Sequence, residues 1–106
     1  MATTVTFTGK SGKTYTYYLY PMWPNLQAKP GNYVFAYNDG RTIFPKYFGE
    51  TGSLHDRCGE AHERCKCAMN TGANCIGAHL GSTSADERRL EEQDLVEAYN
   101  PPCNRQ

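Results

Sequence analysis

The stretch GNYVFAYNDGRTIFPKYFGETGSLHDR, residues 31–57, decides the fold. Two runs rich in aromatic and β-branched residues, 32–37 and 43–49, flank Asn38-Asp39-Gly40-Arg41-Thr42. Asp-Gly between apolar runs is a strong hairpin signal. From Ser53 the period changes. Leu54, Cys58, Ala61, Cys65 and Ala68 recur at spacings of four and three, which predicts one helix, with Gly59 a weak point inside it. Upstream, TVTFTG and TYTYYLY lie on either side of GKSGK and predict a first hairpin with strands near 3–8 and 13–20. Pro-rich PMWPNLQAKPG carries the chain from one hairpin to the next. Downstream, ANCIGAHL predicts a strand with Asn74, Ile76, Ala78 and Leu80 on one face. Ser84 followed by Glu87 forms a capping box that opens a helix over 85–99, which Pro101 stops.

The expected order is therefore ββ, ββ, α, β, α, a small α+β domain. A chain of 106 residues has room for one such unit, with an N-terminal hairpin and linker over 1–30 and the principal domain over 31–106. Eight Tyr, four Phe and one Trp supply a core, and the mean hydropathy of −0.70 makes it a modest one. No apolar run approaches the ~18 residues of a membrane span, and MATTVTFTGK has no signal-peptide core, so a cytoplasmic protein without membrane contact is expected. Eleven basic and eleven acidic residues cancel, which argues against a generally adhesive nucleic-acid binder. The cancellation is uneven, at +3 over residues 1–50 and −3 over 51–106.

Several motifs are discounted. GKSGKT (9–14) resembles the end of a phosphate-binding loop, but Phe7 stands where its first glycine belongs and no helix follows, so it is a turn. Five cysteines, an odd number without secretory features, predict reduced thiols rather than a disulfide framework. Their spacings match no common zinc framework, so a Cys-rich zinc-binding structural protein is the weaker alternative. His55 and His62 lie two turns apart on one predicted helix, roughly 10 Å, too far to share a metal. His79 reads as a hydrogen-bonded structural histidine.

Glu92 resists so plain a reading. On a helix over 85–99 its neighbours are Arg88, Leu95, Val96 and Tyr99, so its carboxylate lies on the face that must turn inward. Either an i, i+4 ion pair with Arg88 satisfies it, or it is an oxygen ligand for Mg²⁺ or Mn²⁺ at the core's edge.

Taken in order, Gly31-Asn32-Tyr33, Tyr47-Phe48-Gly49, Glu50 through Arg57, Glu92 through Val96, and Asn100 through Asn104 resemble the successive motifs of a GIY-YIG nuclease domain. The resemblance covers residues 31–104, about 74 of the 106. It implies a short antiparallel three-stranded sheet flanked by helices, with the 3–20 hairpin as an addition. It also implies a metal-dependent DNA endonuclease in which Tyr33, Tyr47, Arg57, Glu92 and Asn104 form the site and Glu92 holds one divalent ion, Mg²⁺ or Mn²⁺. Arg57 would meet the phosphate, and one tyrosine would take the proton of the attacking water. The pattern does not fix which tyrosine; Tyr33 is the preferred base, with Tyr47 its positioning partner. His62 and Glu50 are accessory candidates. His62 would fall about 140° from Arg57 on a straight helix and could join the site only if Gly59 bends it. Glu50 replaces the Lys or Gln common in the family. Asn104 would hold the last segment or assist at the phosphate. With no room for a second recognition domain, specificity is expected from loops, a homo-oligomer or a separate partner. The alternative is a catalytically silent nucleic-acid- or protein-binding module of the same fold.

Overall fold

The computed structural model describes residues 3–58 and 62–105. Five strands, β1 (Thr3–Thr8), β2 (Thr14–Pro21), β3 (Gly31–Asn38), β4 (Ile43–Thr51) and β5 (Cys75–Leu80), form one sheet in the order β1-β2-β5-β3-β4. Every neighbouring pair is antiparallel. The α+β class is as expected, but the sheet has five strands rather than three, because β2 of the N-terminal hairpin pairs directly with β5. That pairing is non-local, and no local pattern announces it.

The GKSGK loop is indeed a turn. It is fastened to the helix side by Asp94, whose carboxylate accepts from the Ser11 amide at 2.8 Å, the Ser11 hydroxyl at 2.7 Å and the Tyr15 hydroxyl at 2.8 Å.

The helix predicted from Ser53 is instead two. α1 (Leu54–Arg57) is capped by the Ser53 hydroxyl, and α2 (Cys65–Asn70) ends at Thr71. The apolar stripe at spacings of four and three fits one continuous helix equally well, so periodicity could not reveal the interruption. The predicted stripe position Ala61, and Gly59, lie outside the described residues. α3 (Ala85–Tyr99) has the anticipated bounds. The Ser84 hydroxyl accepts from the Glu87 amide, and Asn100 ends the helix in a left-handed conformation before Pro101.

Strand alternation divides the core between the two faces of the sheet. One face carries Tyr33, Phe35, Ile76 and Ala78 against Leu54, Cys58 and Ala68 of the α1–α2 region, with Tyr20, Met22 and Leu26 packed at its margin. The other carries Phe7, Tyr17, Val34, Ala36, Phe48 and Cys75 against Leu95 of α3. The predicted hydrogen-bonded His79 sits beside this second cluster, with Nε2 2.6 Å from a Glu91 carboxylate oxygen to which the Tyr17 hydroxyl also donates. No helix among the described residues is long and apolar enough to cross a membrane.

The expectation of reduced thiols fails for two of the five cysteines. Cys67 of α2 and Cys103, in a 3₁₀ turn at Pro102–Asn104, form a disulfide, while Cys58, Cys65 and Cys75 do not. The pair lies 36 residues apart and meets only because α2 and the C-terminal turn converge in the fold.

Candidate active site

Register brings the two tyrosines together. Tyr33 stands opposite Gly49 and Phe35 opposite Tyr47, so Tyr33, Phe35 and Tyr47 share the α1–α2 face, and the two tyrosine rings lie 6.2 Å apart. Gly49 is required by this arrangement. A Cβ there would sit 2.4 Å from Tyr33 Cζ and 2.5 Å from its hydroxyl, so the Tyr33 ring lies across bare backbone. Gly31 is confined in the same way, by the His79 carbonyl and the Leu54 side chain. The spacing Gly-x-Tyr followed by Tyr-x-Gly thus has a steric cause in this chain.

The break between α1 and α2 places His62 on the same cluster. It is 95% buried, its ring is 5.4 Å from that of Tyr47, and its Nε2 lies 2.6 Å from the Tyr33 hydroxyl oxygen. The Arg64 amide donates to His62 Nδ1 at 2.9 Å. In the neutral ring the proton therefore resides on Nε2, which donates to Tyr33. Burial, reinforced by Arg57, pushes the His62 pKa down to about 4 and keeps the ring neutral.

Arg57, at the end of α1, is the cation of the cluster. It acts electrostatically on the Tyr33 phenol, and it makes a two-pronged pair with Glu63, Nη1 to Oε2 at 2.7 Å and Nη2 to Oε1 at 2.5 Å. Glu63 was not singled out in the sequence. Its carboxylate falls to about 2 under the Arg57 hydrogen bonds, and it occupies the guanidinium edge that would otherwise be free for an oxyanion. Burial raises the phenols of Tyr33 and Tyr47, while Arg57 opposes the rise at both. Cys58, buried next to Arg57, is pushed up to about 12 and stays a thiol.

Glu92 approaches from α3, across the free edge of the sheet formed by β4. It does not pair with Arg88. That guanidinium is 94% buried and is taken by Glu50 (Nε to Oε1, 3.1 Å) and by the Ser82 carbonyl (Nη1, 2.7 Å). The i, i+4 explanation therefore fails, and Glu50 is bound in an ion pair. The Glu92 carboxylate acts electrostatically on Tyr47. Burial, with the Glu50 charge adding to it, raises its pKa to about 7. Asn104 does not join the cluster directly. Its side chain clamps the backbone of Phe48, accepting from the amide and donating to the carbonyl, both at 2.9 Å. Two otherwise open hydrogen-bonding groups of the edge strand are thereby paired, one residue from Tyr47.

No family model, curated protein or solved structure matches this chain.

No group of three or more His, Cys, Asp or Glu side chains that could surround a metal ion occurs among the described residues. Glu92 is the carboxylate of this cluster that could contribute an oxygen to a hard divalent ion such as Mg²⁺, which keeps most of its waters and takes one or two carboxylates plus substrate phosphate.

Proposed function

We propose that the chain is a GIY-YIG-type endonuclease that hydrolyses DNA phosphodiesters with one divalent ion, Mg²⁺ or Mn²⁺, held by Glu92. The observation that carries this reading is the convergence of Tyr33, Tyr47, Arg57 and His62 on one end of the β3–β4 face, with Glu92 acting on Tyr47 across the β4 edge.

In this reading Arg57 moves from Glu63 to the non-bridging phosphate oxygens, where its planar donors match the charge that develops at phosphorus. Tyr33 is the base. Its phenolic oxygen already receives a hydrogen bond from His62 Nε2, and the Arg57 charge acts on it. Both stabilise the phenolate against the burial that opposes it. As phenolate, Tyr33 takes a proton from water, the water oxygen bonds to phosphorus, and the P–O3′ bond breaks to give a 5′-phosphate. The departing 3′ oxygen takes a proton from solvent. The divalent ion, when bound, would act as a Lewis acid that stabilises charge on the phosphate and leaving oxygens. Tyr47, between His62 and Glu92, positions the water, and Asn104 holds the strand that carries Tyr47 rather than touching phosphate.

A plasmid-nicking assay with Mg²⁺ and with Mn²⁺ tests the reading. Wild type nicks and Glu92→Ala does not; equal nicking by both, or none by wild type, sinks it and leaves a silent binding module. The pH profile tests the base. Only the phenolate is active and burial raises its pKa, so kcat/KM climbs from pH 7 to pH 9. Tyr33→Phe loses the climb together with at least ~100-fold of the rate. A profile flat above pH 7 would remove Tyr33 from that role.

A further inference from the structure

The aromatic face that holds Tyr33, Phe35 and Tyr47 continues outward beyond the candidate site. Tyr37 stands opposite Phe44 on the same face, near the tip of the β3–β4 hairpin. The two rings are stacked, 6.1 Å apart with planes 22° from parallel. They are also exposed, Tyr37 at 38% and Phe44 at 43%. Single exposed apolar residues are ordinary; a stacked pair, in line with a candidate catalytic row, presents flat π-surface to solvent.

Its mounting is firm. Gly72, in the turn after α2, comes near the Tyr37 ring, where an added Cβ would sit 3.9 Å from Cδ1. Asn74 clamps the Asn38 backbone by two hydrogen bonds, 2.8 and 2.9 Å, and Asp39 closes the tip by accepting from the Arg41 and Thr42 amides. A basic residue adjoins the pair in sequence: Lys46 is the extra residue of a bulge in β4, since Pro45 pairs with Ala36 while Tyr47 pairs with Phe35. Bulges on edge strands commonly serve to re-aim side chains next to a site.

We propose that Tyr37 and Phe44 form a stacking platform for the unpaired strand of a branched or frayed DNA, with Lys46 meeting its phosphates. This substrate class rests on the nuclease reading of the neighbouring cleft. A rigid π-face with a neighbouring cation is the recognition chemistry of single-stranded nucleic acid, whereas the bases of an intact duplex hide their faces. The spacing also suits it. Tyr37 lies four residues along β3 from Tyr33, about 13 Å, and stacked nucleotides advance about 3.4 Å each. The platform would thus engage a base about four nucleotides from the phosphate at Tyr33 and Arg57. It would also supply selectivity to a small domain whose charges sum to zero.

The test is fluorescence anisotropy in EDTA, so that no cleavage intervenes, with a labelled blunt duplex and the same duplex bearing an unpaired oligothymidine arm. Wild type should bind the armed duplex about tenfold more tightly. Tyr37→Ala/Phe44→Ala should lose that advantage while retaining duplex binding. Tyr37→Leu/Phe44→Leu keeps apolar bulk without π-surface and should lose it too. Equal wild-type affinity for the two probes, or an arm preference that survives in the leucine variant, overturns the platform; the latter would indicate a general apolar docking surface. Because the readout needs no catalysis, arm preference without nicking would reject the nuclease reading alone, and nicking without arm preference would reject the platform alone.

Discussion

At the scale of single residues, Glu92 and His62 carry opposite electrostatic costs. A carboxylate raised to about 7 folds more easily protonated than ionised. The penalty is absent below the unfolded value near 4.5, develops as pH rises through 7, and stays constant above that. His62, lowered to about 4, is neutral in the folded protein, so its contribution is intact above the unfolded value near 6.5 and is lost as pH falls toward 4. Removing the Glu92 charge should therefore stabilise the protein at alkaline pH. Glu92→Gln is expected to gain on the order of 1 kcal/mol at pH 8 after solvent screening, a few degrees in Tm, while abolishing nicking. Millimolar Mg²⁺ should raise the wild-type Tm and leave the variant's unmoved. A variant that melts below wild type at pH 8, or gains as much from Mg²⁺, would refute Glu92 as the ion's carboxylate. Glu63 is a second case, because its pair with Arg57 must open before a phosphate can enter. The pair is solvent-exposed and opens readily, so Glu63→Gln should lower KM for DNA by up to about fivefold with kcat unchanged. A raised KM would mean that Glu63 orients Arg57 rather than competing for it.

At the scale of elements, the site depends on a strand register in which Tyr33 crosses Gly49. Gly49→Ala puts a methyl group 2.4 Å from the Tyr33 ring. The ring must move off His62, at an overpacking cost of about 1–3 kcal/mol. Nicking should fall at least tenfold while the melting transition remains cooperative; wild-type activity in Gly49→Ala would show that Tyr33 need not lie where it does. Much of this level was legible in the sequence. Asp39-Gly40 announced the second hairpin, Ser84 and Pro101 bounded α3, and alternation in β5 put Ile76 and Ala78 on one face. What escaped notice lay in tertiary contacts. The stripe Leu54, Cys58, Cys65 and Ala68 holds whether or not the helix breaks, so the arrival of His62 beside Tyr33 could be named only as conditional on a bend. Arg88 had an obvious i+4 partner in Glu92, yet it pairs with Glu50 across the sheet edge because β4 runs directly under α3. That choice leaves Glu92 unpaired with Arg88. Glu63 carried no signal beyond being one of many acids.

At the scale of the whole molecule, α1 and α2 lie on one face of the sheet and α3 on the other, and the Cys67–Cys103 disulfide ties α2 to the turn that follows α3. The covalent link bears on the site through one neighbour. Cys103 is followed by Asn104, whose side chain clamps Phe48, which in turn adjoins Tyr47 on the free edge strand. Closing a loop across a separation of 36 residues restricts the unfolded chain by an amount worth about 4 kcal/mol in the chain-entropy account. For a domain of this size that corresponds to at least ~10 °C in Tm. Dithiothreitol, or Cys67→Ser/Cys103→Ser, should lower the melting temperature by that order. Either should also speed hydrogen exchange at the Phe48 amide, because the turn carrying Asn104 then loses its covalent tie to α2. Nicking by the reduced protein below its new melting point should fall through kcat, as Tyr47 loses its fixed strand, with KM little altered. If the serine variant melts within about 2 °C of wild type and protects Phe48 equally, packing alone holds the C-terminal turn, and the disulfide contributes nothing to placing the edge strand.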